Sequence, residues 1–409
     1  MQNKASTDDT YDVFIYQWIL EDINGEDDDG RYTKFLEVSG YGLDTENKNV
    51  YIKLVRSTFK PWLSLKLNKG RTEDDLEDDV NSICEKMFKT EITTSDDEKY
   101  EDSSIYLEKT SINKKLYFYS VENDMTVYRL YFPSNAKRRQ FFYKKKDDHK
   151  KPYSINESET NINLQFLNEN KLPSCGWVTL HNVLSNPKRP YKRMTRGDSC
   201  FECIVNPFQI QMKSNQEEHT IPKFRCLSFD LECYSDVISK FPNAQIASNC
   251  IFQIGVVTND EHDEEQRYIF TLMPKDRAMH VDNMIVKRYE SEPDLLRGFL
   301  NFMSNEFNAH VLIGYNIFGF DIPFLKTRCE KYGIDMATRG RSRDRVSEYK
   351  EIKWSSSAYS IQEFYLYDYD GRIMIDLLTL VKRNYKLSNY KLSTVSEFFL
   401  GNENTKDPM

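Results

Sequence analysis

Apolar and polar residues alternate with period two along CLSFDLEC, residues 226–233. This pattern predicts a β-strand with Leu227, Phe229 and Leu231 turned to a core. The other face would then carry Ser228, Asp230 and Glu232. Strand residues two apart lie on one side at roughly 6.6 Å, so Asp230 and Glu232 would share a space and repel each other when ionised. IFQIGVVT (251–258) and YIFTLM (268–273) predict two more strands, joined by loops that suit an antiparallel meander. Next, Leu295, Leu296, Phe299, Phe302, Met303 and Phe307 recur at steps of three and four, which predicts a helix capped by Ser291 with Pro293 in its first turn. HVLIGYN (310–316) reads as a buried strand, 321–332 as a helix ended by Gly333, GRIMIDLL (371–378) as a strand, and the segment after Asn389 as a last helix. The order is mixed α/β.

Upstream, the runs DVFIYQWIL (12–20), KNVYIKLV (48–55), KLYFYSV (115–121) and GWVTLHNVL (176–184) predict a β-rich region. Between them, EDINGEDDDG (21–30), TEDDLEDD (72–79) and SDDEKYED (95–102) read as solvated loops or an exposed helix face. The change of pattern near residue 220 divides the 409 residues into 1–220 and 221–409. Lys and Arg number 56 against 64 Asp and Glu, a net charge of −8, which argues against gripping nucleic acid by bulk charge and directs attention to local patches. In NPKRPYKRMTRG (186–197), Lys188, Arg189, Lys192, Arg193 and Arg196 surround Tyr191. Such a run suits a single-stranded DNA backbone with one stacked base; KRRQFFYKKK (137–146) is similar, and both read equally as ordinary solvated faces. Eight scattered cysteines suggest thiols in a reducing compartment, and Cys200 and Cys203 lack a second pair at zinc spacing. With neither a leader pattern nor a long apolar run, the expectation is a soluble intracellular chain.

IGYNIFGFDIPFL (313–325) adds Asp321 at a predicted helix start, with Pro323 in the first turn, where free N–H groups favour negative charge. By itself Asp321 reads as an N-cap. Combined with Asp230 and Glu232 it completes a set of hard oxygen donors from separate elements, the kind of set two divalent cations take. FDLEC followed by FPNA and IFQIGVV resembles the first proofreading motif of family-B DNA polymerases. IGYNIFGFDIPFL resembles the second, Asn-x-x-x-(Phe or Tyr)-Asp, and GRIMIDLLTLVKRNYKLSNYKLSTVSEFFLG is similar to the segment that follows in polymerases of eukaryotes and large DNA viruses.

The resemblance implies a ribonuclease-H-like (DEDD) 3′–5′ exonuclease domain of α/β class over 221–409, after a β-rich mixed N-terminal domain. It further implies proofreading in DNA replication with two Mg²⁺ or Mn²⁺ ions, acting on the single-stranded 3′ end of a primer-template. Asp230, Glu232 and Asp321 would be the catalytic metal ligands. Asn316 and Phe320 would line the pocket of the 3′-terminal nucleotide, with Phe229 and Leu231, beside Asp230, as further substrate-binding candidates. The family's third motif, Tyr-x-x-x-Asp, does not occur before Met409, nor do Asp-x-x-Ser-Leu-Tyr-Pro and Tyr-Gly-Asp-Thr-Asp of the polymerase site. The expectation is therefore an incomplete exonuclease domain, with a separate chain or a continuation carrying the polymerase domain. The alternative is a catalytically incomplete DNA- or polymerase-binding module. Asp376, inside the GRIMIDLL strand, reads as a structurally hydrogen-bonded Asp.

Overall fold

The computed structural model describes residues 10–401 apart from 27–29, 31, 55–58, 95–103, 113–124, 182–183, 186–194, 197–199, 206–208, 214–215, 217–218, 238, 260–263, 275–280 and 357–359. Two compact units emerge: residues 1–189 with 201–220, and 190–200 with 221–409.

The first unit holds two sheets. In the seven-stranded one, Thr10–Glu26 lies between Tyr32–Asp44 and Gly176–His181, antiparallel to both. The five-stranded sheet centres on Met125–Tyr131 and Trp62–Leu67. Two of the acidic segments are regular structure: the first is part of a strand, which corrects its reading as a loop or helix face, and the second is the start of a helix, one of the two readings it was given. The first continues a strand to Glu26, paired there with Tyr32. The second opens the helix Glu73–Phe88, where Thr72 and Asp75 exchange side-chain-to-backbone bonds of 3.2 and 3.0 Å and Leu76, Val80 and Cys84 are buried. Reciprocal capping satisfies two orphan N–H groups, and acids in the first turn suit the helix dipole. Helices at Asn135–Lys145 and Ile162–Glu169 add to what the pattern predicted. KLYFYSV (115–121) and SDDEKYED (95–102) lie outside the described residues.

The second unit is built on one six-stranded sheet in the order Ile285–Tyr289, Glu265–Leu272, Ile251–Asn259, Cys226–Cys233, Val311–Gly314, Ile373–Asp376. The three central predicted strands form the expected antiparallel meander. Val311–Gly314 then joins parallel to the Asp230 strand, and Ile373–Asp376 joins parallel to it in turn. Leu227, Phe229 and Leu231 are buried in the core with Phe270, Leu295 and Phe299, and the rings of Phe229 and Phe299 lie 5.5 Å apart. Each such side chain contributes about 1.5–3 kcal/mol on burial. The helix Glu292–Asn301 packs over this side and passes into a π-helical turn, Phe302–Glu306. GRIMIDLL splits differently from its prediction, because the strand stops at Asp376, which caps the helix Leu377–Asn384 through Leu378 N–H at 2.9 Å. The parallel edge strand Ile285–Tyr289 and the hairpin Tyr349–Ser356/Ser360–Tyr367 were not legible in the pattern.

Candidate active site

Asp230 and Glu232 project from the same face of their strand, Asp230 exposed and Glu232 half-buried. Across the ladder Asp230 pairs with Gly255, and a Cβ placed on that glycine would meet nothing within 4 Å. Open room therefore adjoins the Asp230 carboxylate. Asp321, the first residue of the helix Asp321–Lys331, is 2% exposed and accepts a hydrogen bond from Leu231 N–H at 3.1 Å. The residue between the two strand acids thus fastens the third acid to their strand. Burial, reinforced by the nearby Asp230 charge, pushes the Asp321 carboxyl from 3.8 up to about 7, against the lowering effect of the Leu231 bond.

A buried carboxylate facing a second one is compensated most directly by a cation, and oxygen donors on separate elements fit a hard divalent ion. Among the described residues no three His, Cys, Asp or Glu side chains are grouped so that they could hold a metal ion, so Asp230, Glu232 and Asp321 do not by themselves form such a group. Phe229 and Leu231 turn their side chains into the core at 4% and 6% exposure, so Leu231 reaches the site through its backbone alone.

The turn before Asp321 presents Asn316 on the surface with φ of 64°, a left-handed conformation that asparagine tolerates better than most residues. Asp376 fixes this turn from below. Its two carboxylate oxygens accept from Asn316 N–H and Phe318 N–H, each at 2.9 Å, as well as from its own helix. Asn316 C=O in turn accepts from the N–H groups of Gly319 and Phe320 at 3.0 Å. A Cβ on Gly319 would come within 2.5 Å of Asn316 Oδ1, so any side chain there would displace the Asn316 amide. Phe320, half-buried, meets the 77%-exposed Phe241 edge to face at 5.0 Å. An exposed aromatic surface beside the carboxylates can stack a nucleobase.

The loop that carries Phe241 is held by a device the sequence reading missed. Arg328, fully buried on the Asp321 helix, donates to the carbonyls of Ala244 (3.1 Å), Ile246 (2.8 Å) and Ala247 (3.3 Å). It also forms a two-pronged ion pair with Glu292, whose Oε1 accepts from Ile251 N–H at 2.8 Å and whose Oε2 accepts from Tyr332 OH at 2.7 Å. One guanidinium thus joins the Asp321 helix, the connection following the Asp230 strand and the start of the next strand. The signal was present: Arg328 follows Asp321, Phe324 and Leu325 at helical spacing, on an otherwise apolar face.

Of the basic run, Lys188, Arg189, Lys192 and Arg193 lie outside the described residues. Arg196 is half-buried, and its N–H donates to Arg341 C=O at 2.7 Å. In the second run, Arg138 and Lys145 are buried, Lys145 in ion pairs with Asp79 and Asp148, while Tyr143 is exposed between Arg139 and Lys146.

A family model for the exonuclease domain of DNA polymerase family B matches residues 153–395, more than half of the sequence. The chain belongs to DNA polymerase family B. Among its family-B relatives, DNA polymerase 120R of Invertebrate iridescent virus 3 is 35% identical over 257 residues, covering 60% of this chain and 22% of that protein. DNA polymerase 037L of Invertebrate iridescent virus 6 is 25% identical along 96% of this chain and 32% of its own length. The DNA polymerase delta catalytic subunit of Dictyostelium discoideum is 30% identical over 61% of this chain and 22% of its own. The chain therefore spans between about a fifth and a third of these relatives. In fold it resembles the family B DNA polymerase from Pyrobaculum calidifontis, with a TM-score of 0.59 and 16% identity, over 95% of this chain and 39% of that one. The mixed α/β sheets agree with that family assignment. No helix among the described residues is long and apolar enough to cross a membrane.

Proposed function

We propose that residues 221–409 form a ribonuclease-H-like exonuclease domain that hydrolyses the 3′-terminal phosphodiester of DNA, the proofreading part of a replicative polymerase, preceded by an N-terminal domain over 1–220. One observation carries the reading: the buried Asp321 carboxyl, raised to about 7 by its burial and by Asp230, is tied to the backbone between Asp230 and Glu232. Asp230, Glu232 and Asp321 would hold divalent cations, Mg²⁺ or Mn²⁺. When bound, such ions supply charge neutralisation, an activated water and stabilisation of the leaving oxygen.

The chain's own contribution is placement. Leu231 N–H orients Asp321, Gly255 leaves room beside Asp230, and the Asn316 turn, braced by Asp376, offers an amide to the terminal sugar or base. The Phe320–Phe241 pair provides a face on which an unpaired end can stack. Further groups from outside the described residues would complete the ligand shell. That no three acids, histidines or cysteines among the described residues are grouped to hold a metal ion is the observation that favours the second reading, a module that binds DNA or the rest of a polymerase without cleaving.

The assay is shortening of 5′-labelled single-stranded DNA from its 3′ end with Mg²⁺ or Mn²⁺. Stepwise shortening that Asp230→Ala abolishes is the expected result. DNA binding that is indifferent to divalent cations and to Asp230→Ala, without shortening, would transfer the chain to the second reading.

A further inference from the structure

The helix Asn135–Lys145 of the first unit treats its cations in two ways. On its inner side Arg138, Phe141 and Lys145 are buried. Phe141 packs on Phe132 with ring centres 5.5 Å apart, and Arg138 Nε donates to Asn135 Oδ1 at 3.0 Å. Lys145 Nζ donates to Asp79 and Asp148, both at 2.7 Å, so these two carboxylates are engaged within the fold. Lys151 Nζ donates to the carbonyls of Lys146 and Asp148 at 3.2 and 2.9 Å and closes the helix C-terminus. At the other end the Asp22 carboxylate accepts from the N–H groups of Asn135 and Ala136 at 2.8 and 2.6 Å.

The outer side is different. Arg139, Tyr143 and Lys146 follow one another at steps of four and three, so they form one exposed stripe. Tyr143 is 55% exposed, with the Arg139 guanidinium 5.9 Å and the Lys146 ammonium 5.1 Å from its ring centre. Lys144 and Lys150 are exposed as well. Among the described residues Arg139 and Lys144 have no carboxylate within 4.0 Å, and Lys146 meets only the exposed Asp147 at 4.0 Å. Lys145 sits about 200° round the helix from Tyr143, so the acidic helix Glu73–Phe88 that supplies Asp79 lies on the side away from the stripe. Residues 137–151 carry eight Lys or Arg and two Asp, a local charge of +6 in a chain of net charge −8.

We propose that this outer stripe is a nucleic-acid surface made from the first unit alone: it holds a single strand by its phosphates on Arg139, Lys144 and Lys146 and stacks one base on Tyr143. Like charges gathered on one helix face repel one another, and a polyanion relieves that repulsion while releasing its own counterions. The exposed ring then selects among polyanions. Every base offers a π-face, and an aromatic flanked by cations takes it without reading sequence. An acidic peptide would leave the ring unused. A lipid surface would need apolar side chains turned outward, whereas Phe141 is buried and Phe142 half-buried. A duplex keeps its bases stacked inside, so the ring specifies a single strand. The site uses none of Asp230, Glu232 or Asp321, and it stands whether or not the second unit hydrolyses DNA.

The test uses the full chain in EDTA, which withholds divalent cations, with a thymidine oligonucleotide carrying 5-iodouracil. Irradiation followed by peptide mapping should place a cross-link on Tyr143. Anisotropy titrations of the unmodified oligonucleotide over a range of NaCl concentrations give a second readout. The Arg139→Gln, Lys146→Gln double variant should flatten the slope of log affinity against log salt by up to about 1.4, at about 0.7 per phosphate contact. Tyr143→Ala should weaken binding several-fold with the slope kept, and Arg297→Gln, an exposed cation of the second unit, should change neither. The substituted side chains are exposed, so Tm should hold in every variant. Cross-links confined to residues 221–409, or an affinity and salt slope unchanged in the triple variant Arg139→Gln, Tyr143→Ala, Lys146→Gln, overturn the site and leave an ordinary solvated face. Polyglutamate that suppresses the Tyr143 cross-link as well as an unlabelled oligonucleotide of equal charge would overturn the nucleic-acid assignment in favour of an acidic peptide.

Discussion

Replacing Asp321 with Asn removes a titratable group while leaving an oxygen to accept the 3.1 Å bond from Leu231 N–H. In the native protein the carboxyl titrates at about 7, against 3.8 ordinarily, chiefly because it is buried and secondarily because Asp230 is near. The folded state therefore holds a proton that the unfolded chain has released between those pH values. Stability falls as pH rises across this window and is level above it. At about 1.4 kcal/mol per pH unit, the interval corresponds to roughly 4 kcal/mol, an upper bound since some of the strain relaxes on ionisation. Asp321→Asn should accordingly match the wild type near pH 4 and exceed it by a few kcal/mol at pH 8 in the absence of divalent ions. Urea unfolding at pH 4, 6 and 8 measures this, and Asp230→Asn should recover a smaller part of the same gain. A wild-type slope that persists in Asp321→Asn, or a variant less stable than wild type at pH 8, would refute the assignment of the strain to this carboxyl.

Arg328→Met strands the Glu292 carboxylate, 6% exposed, in the interior and should cost about 3–5 kcal/mol. Adding Glu292→Leu should return much of that loss in a double-mutant cycle; additive effects would contradict the coupling. Gly319→Ala drives a Cβ to within 2.5 Å of Asn316 Oδ1, so single-stranded DNA affinity should fall several-fold while the urea midpoint changes little; unaltered affinity would exclude the Asn316 amide from the DNA site.

Much of the second unit was legible because its strands each bury one face. CLSFDLEC carries a clean period-two signal, IFQIGVVT is a short apolar, β-branched run bounded by polar segments, and the Glu292 helix carries a three-and-four signal with its cap, so those elements were recovered nearly to the residue. The hairpin Tyr349–Ser356/Ser360–Tyr367 is a two-stranded sheet that leaves no long apolar stripe to detect. The acidic helix Glu73–Phe88 was obscured because its buried face is only Leu76, Val80 and Cys84 amid charge. In the site, Asp230, Glu232 and Asp321 could be named from spacing and resemblance, and so could the structural role of Asp376. The Leu231 N–H bond to Asp321 and the reach of Arg328 to three carbonyls depend on backbone atoms of distant segments, which no side-chain pattern encodes.

The central claim is that three carboxylates from a strand and a helix start act together on divalent cations. Titrating the metal-free chain with Mn²⁺, and reading free Mn²⁺ by electron paramagnetic resonance, tests it most directly. Saturable binding at pH 8 that is lost in the folded Asp230→Ala, Glu232→Ala double variant is the predicted result. Binding of equal stoichiometry and affinity in wild type and double variant would contradict it.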